Sequence, residues 1–472
     1  MLIDLNAIPK DRVYDLCVIG GGPAGIAVAR QVAARGKSVI VLEAGAMEVD
    51  ERSQQNFRGR VIGNAFFDLE YARIRAFGGS TAHWGGQGRP LDPIDFAAKP
   101  WVPEATWPID RAAMDPYLRP AMDFLNFKDT YRTEQLGDGM QKMGFKIVNP
   151  PPHLGQLHIE EFKASKAITL VLKANLTGLV TDGQKVQSVE VQSYDRERAT
   201  VHARDFVFAM GGIENSRLLL HFNNSNKGQL VKAPQALGRY WMEHPNFTIG
   251  EAVVPAGTEK VRVYGMVPNA MRDARVLNCG IMVHPVPTGS RMRTIARQLA
   301  CVAPALGSWV YEQMDRQLVC AEQVRAMWEQ EPRAVNRVAL DAKARDQFGI
   351  PQTELHWTLS DMDRATVKAH ALRYAQHVAR SGQGRVKIFD WVLNGGPLPE
   401  NDEKISWHHM GGTRMSRSAE TGVVDADCKV WGQENLFIAG SSVFPSGGWV
   451  NPTLSIVQLA LRLGDHLAAR PA

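Results

Sequence analysis

Cysteine is scarce: five residues in 472 (Cys17, Cys279, Cys301, Cys320 and Cys428), with no CxxC pair among them. An odd count without that spacing argues against a disulfide scaffold, a structural zinc site and a CxxCH haem attachment. Long apolar runs are missing too, since no segment reaches the ~20 residues that cross a bilayer. The opening residues, Met1 to Lys10, lack the basic-then-apolar layout of a secretory signal. Charge of one sign is sparse: the formal net charge is +5, and no basic run interleaves with aromatics. A nucleic-acid partner is therefore not expected. His153, His158, His356 and His377 have no ligand-like spacing, so no metal is expected, and a G-x-S-x-G hydrolase elbow is absent. A cytoplasmic protein of two or three domain-sized units, without a membrane span, is the reading these absences leave.

Glycine, by contrast, is plentiful. The 42 glycines cluster in short loops, a pattern that suits backbone lying close to a ligand. The first cluster ends an apolar strand at residues 14–22. It is followed by a small-residue helix from Pro23 to about Arg35, with Ile26, Ala29, Val32 and Ala33 at helical spacing, and by a strand at 37–43. This βαβ opening predicts a parallel sheet. Within it, Gly20-x-Gly22-x-x-Gly25 is a dinucleotide fingerprint. Gly20 permits the tight turn, Gly22 lets backbone approach a pyrophosphate, and Gly25 allows helix to pack on strand. The helix start at Pro23 and Ala24 supplies partial positive charge and, from Ala24 onward, N–H groups. Glu43, eighteen residues after Gly25, would accept from adenosine ribose hydroxyls. A purely structural glycine turn is the competing reading. FAD and NAD share the fingerprint, so these residues do not choose between them.

Further along, residues 78–90 form a second glycine-rich stretch. A hairpin is signalled at Asp182-Gly183, a strand at 205–212 and a helix near Glu214. Residues 246–395 read as strands broken by Pro and Gly, with a helical portion around 309–330. The chain then returns to a strand at 435–440 and a helix from Pro452 to about Ala469. Elements of the nucleotide site thus recur at start, middle and end. The expected fold is α/β (α+β overall), with a discontinuous Rossmann-like cofactor domain at 1–107, 150–245 and 396–472. The inserted substrate domain would take 108–149 and 246–395.

Three stretches carry a resemblance. They are Phe77-Gly78-Gly79-Ser80-Thr81-Ala82-His83-Trp84, the run Ala209 to Leu220, and the C-terminal segments His408–Met415 and Asn435–Ser455. Together with the fingerprint, they resemble the glucose–methanol–choline (GMC) oxidoreductases, with Gly-Gly-x-x-x-His-Trp closest to the pyranose 2-oxidase and sugar dehydrogenase branch. The resemblance implies FAD, a substrate domain on an antiparallel sheet plus helices, and oxidation of an alcohol by hydride transfer to flavin N5. The implied substrate is a small-molecule alcohol, a secondary hydroxyl of a sugar or glycoside. It implies a catalytic His at His408 in His-His-Met-Gly-Gly, with His409 as the rival one register away, and a second catalytic position at Asn451. Neutral imidazole suits the base at neutral pH, and a carboxamide can donate to the forming alkoxide.

Asn451 before Pro452 is also a well-formed helix N-cap, and both roles are expected of it. His83 aligns with the histidine that pyranose 2-oxidases link covalently to flavin. Related dehydrogenases share His-Trp without requiring the bond, so both states stay open, with Trp84 packing beside it. Gly85 replaces the threonine found there in pyranose 2-oxidases, which leaves O2 and another electron acceptor both in play. By the same resemblance Leu176 presents backbone to adenine, and Gly78, Gly79, Ser80, Gly440, Ser441 and Thr453 line the flavin site. His244, in Met-Glu-His-Pro, is expected to be structural. An NAD(P)-dependent Rossmann dehydrogenase and a non-redox lyase on the same fold are the rival functions. The oligomeric state stays open.

Overall fold

Two sheets organise the chain. The structure, a computed structural model, describes residues 1–128, 131–254, 261–284, 296, 299–301, 303–314, 320–399 and 406–471. Across the larger sheet the strands run Leu2–Ile3, Ile168–Val171, Val39–Leu42, Val13–Ile19, Arg198–Phe208, Val186–Gln192 and Asn175–Thr181. Leu436–Ile438 lies against the end of Arg198–Phe208. The pairings from Leu2–Ile3 to Arg198–Phe208 are parallel, as is that with Leu436–Ile438, while the last two strands are antiparallel. All four residues of Val39–Leu42 are buried, as expected of a parallel strand covered on both faces. The helix Pro23–Ala33 packs on Thr453–Ala469. Gly464 makes that approach possible, because a Cβ there would sit 2.6 Å from Gln31 Cβ.

The second sheet is antiparallel, ordered Arg385–Ile388, Asn246–Val253, Glu322–Trp328, Cys279–His284, Arg262–Met266, Met140–Met143 and Thr133–Gly137. Strands from 133–143 and from 246–388 therefore share one sheet. A small third sheet joins Gly59–Gly63 to Arg337–Arg345 and Pro351–Trp357. The result is a mixed α/β fold with a parallel Rossmann-like sheet and an antiparallel second sheet.

One expectation needs correction, and two features were not foreseen. The helical portion around 309–330 is in fact a helix at Pro304–Glu312 followed by the strand Glu322–Trp328. That strand lies between two others and five of its seven residues from Val324 onward are buried, so its apolar run lacks the alternation that marks a half-exposed strand. The 20-residue helix Asp361–Arg380 was not foreseen. Its signals are a capping box between Ser360 and Asp363 and buried Val367, Ala371, Tyr374 and Val378 at helical spacing. Finally, Cys301 and Cys320 form a disulfide with Cα atoms 5.5 Å apart, a single bond that a cysteine pattern arguing against a disulfide scaffold did not address. Cys17, Cys279 and Cys428 are free and buried. Among the described residues no helix is long and apolar enough to cross a membrane. No group of three or more His, Cys, Asp or Glu among them could hold a metal ion.

Candidate active site

One large cavity, about 1050 Å³, runs from the end of the parallel sheet to the face of the second sheet. It is at the upper end of the range for small-molecule and cofactor sites, about 300–1,000 Å³. At its inner end the strand Val13–Ile19 stops before the glycines, and Gly20 takes φ +108°. A Cβ at Gly25 would lie 1.9 Å from the Gly20 carbonyl oxygen, so the helix packs on the strand only with glycine there. Gly22 precedes the helix Pro23–Ala33 without any side-chain cap, leaving the first-turn N–H groups to the cavity.

Glu43 is buried, accepting from Gly21 N at 2.7 Å and Gly45 N at 2.6 Å. Burial raises its pKa against those bonds and the nearby Arg75. Gly20, Gly22, Pro23, Ala24, Glu43 and Leu176 all line this end. Sequence reading missed Arg73, Arg75, Glu214 and Arg217, which line it as well. Arg73 and Arg217 pair with Glu214. Burial disfavours the Glu214 charge, but Arg217, Arg73 and Arg75 outweigh it and hold its pKa low.

The middle of the cavity is walled by Gly79, Ser80, His83, Trp84, Gly440, Ser441, Thr453 and Asn451. Gly25 and Gly78 do not face it: Gly25 sits on the side of its helix pressed against Gly20, and a Cβ on Gly78 would press into Gly155. Gly211 and Gly440 have positive φ and open space where a Cβ would be, and Gly22 lies against Gly79. This smooth, backbone-lined channel with an acid at one end fits an extended dinucleotide such as FAD. His83 lies at the outer part, its ring stacked on Trp407 with centroids 5.8 Å apart, and burial lowers its pKa. Trp84 donates from Nε1 to the Pro152 carbonyl at 2.9 Å and packs edge-on against Phe127.

His408 and Asn451 meet, although 43 residues separate them: Asn451 Nδ2 is 3.0 Å from His408 Nε2. His408 N donates to Glu243 Oε1 at 2.7 Å, and its Nδ1 is 2.9 Å from His244 Nδ1. Main-chain bonds in both directions between Met242 and Met410 hold these two segments in register. Gly411 and Gly412, with φ +73° and +92°, let the strand-like stretch pass beside Tyr240 and Ser216, where a Cβ would be 2.1 and 2.2 Å from an oxygen. Desolvation, then His244 and His409, push the His408 pKa well down, so the ring is neutral at pH 7.

His409 is turned elsewhere. Its ring sits between Trp241 and Phe66, at 5.8 and 6.2 Å. Its Nε2 has no hydrogen bond among the described residues and lies 3.9 Å from Glu243 Oε2. Burial, then Arg73, lower its pKa to about 3. Glu243 itself is fully buried, and burial raises its pKa to about 8 against bonds from the His408, His244 and Ser406 backbones.

The N-cap role expected of Asn451 is not seen. The helix Thr453–Ala469 is preceded by Pro452 at the cap position, with no side-chain cap, and Asn451 Oδ1 has no hydrogen bond among the described residues. The amide is drawn instead to His408. His244, expected to be structural, is in direct contact with His408. Its neighbour in the sequence motif, Glu243, was also overlooked. The signal was the Met-Glu-His-Pro segment itself, whose partner lies 164 residues away.

The comparisons agree with this architecture. The family model described as GMC oxidoreductase matches residues 332–460. The chain is 23% identical to the fructose dehydrogenase large subunit of Gluconobacter japonicus over 96% of this chain and 97% of that protein. It is 33% identical to a C-glycoside 3-oxidase of Microbacterium trichothecenolyticum over 32% of this chain and 26% of that one. The solved structure of pyridoxine 4-oxidase from Mesorbium loti has the same fold, with TM-score 0.54, 15% identity and 97% and 100% of the two chains covered. The fold is that of this solved structure, and the cavity is large enough for a cofactor. Over residues 332–460 the chain is thus similar to the GMC oxidoreductases.

Proposed function

We propose that the protein oxidises a secondary hydroxyl of a sugar or glycoside to a carbonyl, with FAD as cofactor and His408 as the base. The observation that carries this reading is the His408–Asn451 pair on the wall of the cavity, with donor and acceptor 3.0 Å apart. Bound FAD would supply the two-electron acceptor for the carbinol hydride. Gly20, Gly22, Pro23, Ala24, Glu43 and Leu176 would hold its adenosine-diphosphate half, and Gly79, Ser80, Trp84, Gly440, Ser441 and Thr453 its flavin half. His83 is the residue through which a covalent link would run. His408 Nε2 takes the hydroxyl proton, and Asn451 Nδ2 donates to the oxygen as negative charge grows there. In this reading residues 108–149 and 246–395 form the substrate domain and the remainder the cofactor domain.

The sugar class is supported by the cavity mouth. Trp407 and Phe67 are 45% and 42% exposed and meet edge-on at 5.6 Å, an apolar ledge suited to the C–H face of a pyranose. Asn246 and Gln323 face the same space from the second sheet. Two relatives are named for fructose and C-glycoside oxidation.

The test is anaerobic mixing of the yellow holoenzyme with sugars, glycosides and aromatic alcohols, read as flavin bleaching. Sugars or glycosides bleach it, and His408→Ala retains flavin while slowing bleaching about 10²–10⁴-fold. Bleaching that survives His408→Ala but fails in His409→Ala assigns the base to His409. Flavin that stays with the acid-precipitated protein, and is released by His83→Ala, establishes the covalent link. Reoxidation by O2 against that by a dye separates oxidase from dehydrogenase.

A further inference from the structure

His244 is a buried ionisable side chain whose ring touches that of His408 and that has no part in the mechanism above. It is fully buried, 0% exposed, and lies two residues before the strand Asn246–Val253. Its two ring nitrogens have different partners. Nε2 is 2.8 Å from the Gly448 carbonyl oxygen, and Nδ1 is 2.9 Å from His408 Nδ1. The rings meet edge-on, with centroids 5.1 Å apart and planes at 82°.

A carbonyl oxygen can only accept, so His244 Nε2 must carry a hydrogen. A neutral imidazole has one N–H, and therefore His244 Nδ1 presents a lone pair. Its partner, His408 Nδ1, must then be the donor. A neutral His408 protonated at Nδ1 has its lone pair at Nε2, which is the atom that Asn451 Nδ2 approaches at 3.0 Å. Every donor in this chain meets an acceptor, and its direction is set from one end by a group that cannot reverse.

We infer that His244 is a positioning residue: it holds His408 in the Nδ1–H tautomer, so that the Nε2 lone pair is presented to Asn451 and the cavity. The inference rests on the reading of His408 as the base. When His408 Nε2 gains the hydroxyl proton, Nδ1–H stays on His244, so no tautomer change accompanies the transfer.

The surroundings are built for this polarity. Gly448 has φ +57°, which turns its carbonyl towards His244, and a Cβ there would fall 2.7 Å from Asp95 Oδ2. A Cβ on Gly447 would come within 3.1 Å of His244 Nε2. The loop is further anchored by Ser446 on Glu329 and by Trp449 Nε1 on Asp92. Glu243 Oε1 accepts from both the His244 and His408 backbones, at 2.9 and 2.7 Å. Among the described residues, the charged or titratable groups facing the pair are thus Glu243 and, behind it, His409. Burial lowers the His244 pKa to about 4, consistent with a neutral ring over the working range.

The experiment is 15N-histidine NMR of the holoenzyme, comparing wild type, His244→Gln and His244→Leu, with His408→Ala to assign the resonance. Glutamine carries an acceptor and a donor on one planar group and can replace the imidazole, whereas leucine has neither. Wild type and His244→Gln show His408 protonated at Nδ1, and His244→Leu shows mixed tautomers. Flavin content is unchanged, while kcat falls about 10–100-fold in the leucine variant, with little change in KM, and recovers in the glutamine variant.

An Nε2–H His408 in wild type, which needs no variant to fold, overturns the inference, as does a leucine variant that keeps the wild-type tautomer and rate. Should the Nδ1–H tautomer be found while His408→Ala keeps full activity, the tautomer assignment stands and the reading of His408 as base fails.

Discussion

Replacing Glu243 with glutamine should stabilise the protein, increasingly so as pH rises. The side chain is 0% exposed, and its Oε1 accepts two backbone N–H groups while Oε2 has no hydrogen-bond partner among the described residues. Burial raises its pKa from 4.5 to about 8, opposed by the His408, His244 and Ser406 backbone bonds. The native state therefore holds this proton through a window, about pH 4.5 to 8, in which the unfolded chain has released it. Stability falls as pH rises through that window, by about 1.4 kcal/mol per pH unit for one group.

Glutamine cannot ionise, keeps the accepting oxygen, and can turn its amide N–H groups towards His409 Nε2, which lies 3.9 Å from the replaced oxygen. The stability difference between Glu243→Gln and wild type should grow by about 4 kcal/mol between pH 5 and pH 8. Asp95 and Asp363 are raised by burial too, but both proteins contain them and they cancel. The assay is urea unfolding of the two holoproteins at pH 5, 6, 7 and 8. A difference that does not change with pH would refute the reasoning and show Glu243 ionised in the native state throughout.

Trp407→Ala should raise KM for glycosides about tenfold with kcat within twofold, because only the ledge at the mouth is lost. If steady-state kinetics show kcat falling at constant KM, the strained backbone of Trp407, φ +57°, acts by placing His408. Thiol titration of the denatured protein should find three free thiols without reductant and five with it, and five in both would remove the Cys301–Cys320 bond. Alkylation at the moment of lysis should then report that bond's state in the cell.

The parts of the fold that were legible are those whose signals are local. The βαβ opening, the hairpin at Asp182-Gly183 and the helix at Glu214–Ser225 each follow from periodicity and turn chemistry within about 30 residues. Glu322–Trp328 was misread because a strand enclosed on both sides has no alternation to show. The disulfide was unreadable because a spacing of 19 residues says nothing about whether two cysteines converge. The site was half legible. Glycines facing a cofactor are forced by backbone geometry and so appear as a motif, whereas a side chain's rotamer and partner do not.

From its order of residues alone this chain determines the glycines of a tight strand-to-helix turn at Gly20–Gly25. Those are choices of residue type that short-range sterics impose. Which histidine faces Asn451, that His409 turns to Trp241, and that His244 enters the hydrogen-bond chain were decided only by the tertiary structure. Adjacent residues along an extended segment point to opposite sides, so only the packing of segments from 242, 408 and 448 against one another selects which ring looks into the cavity.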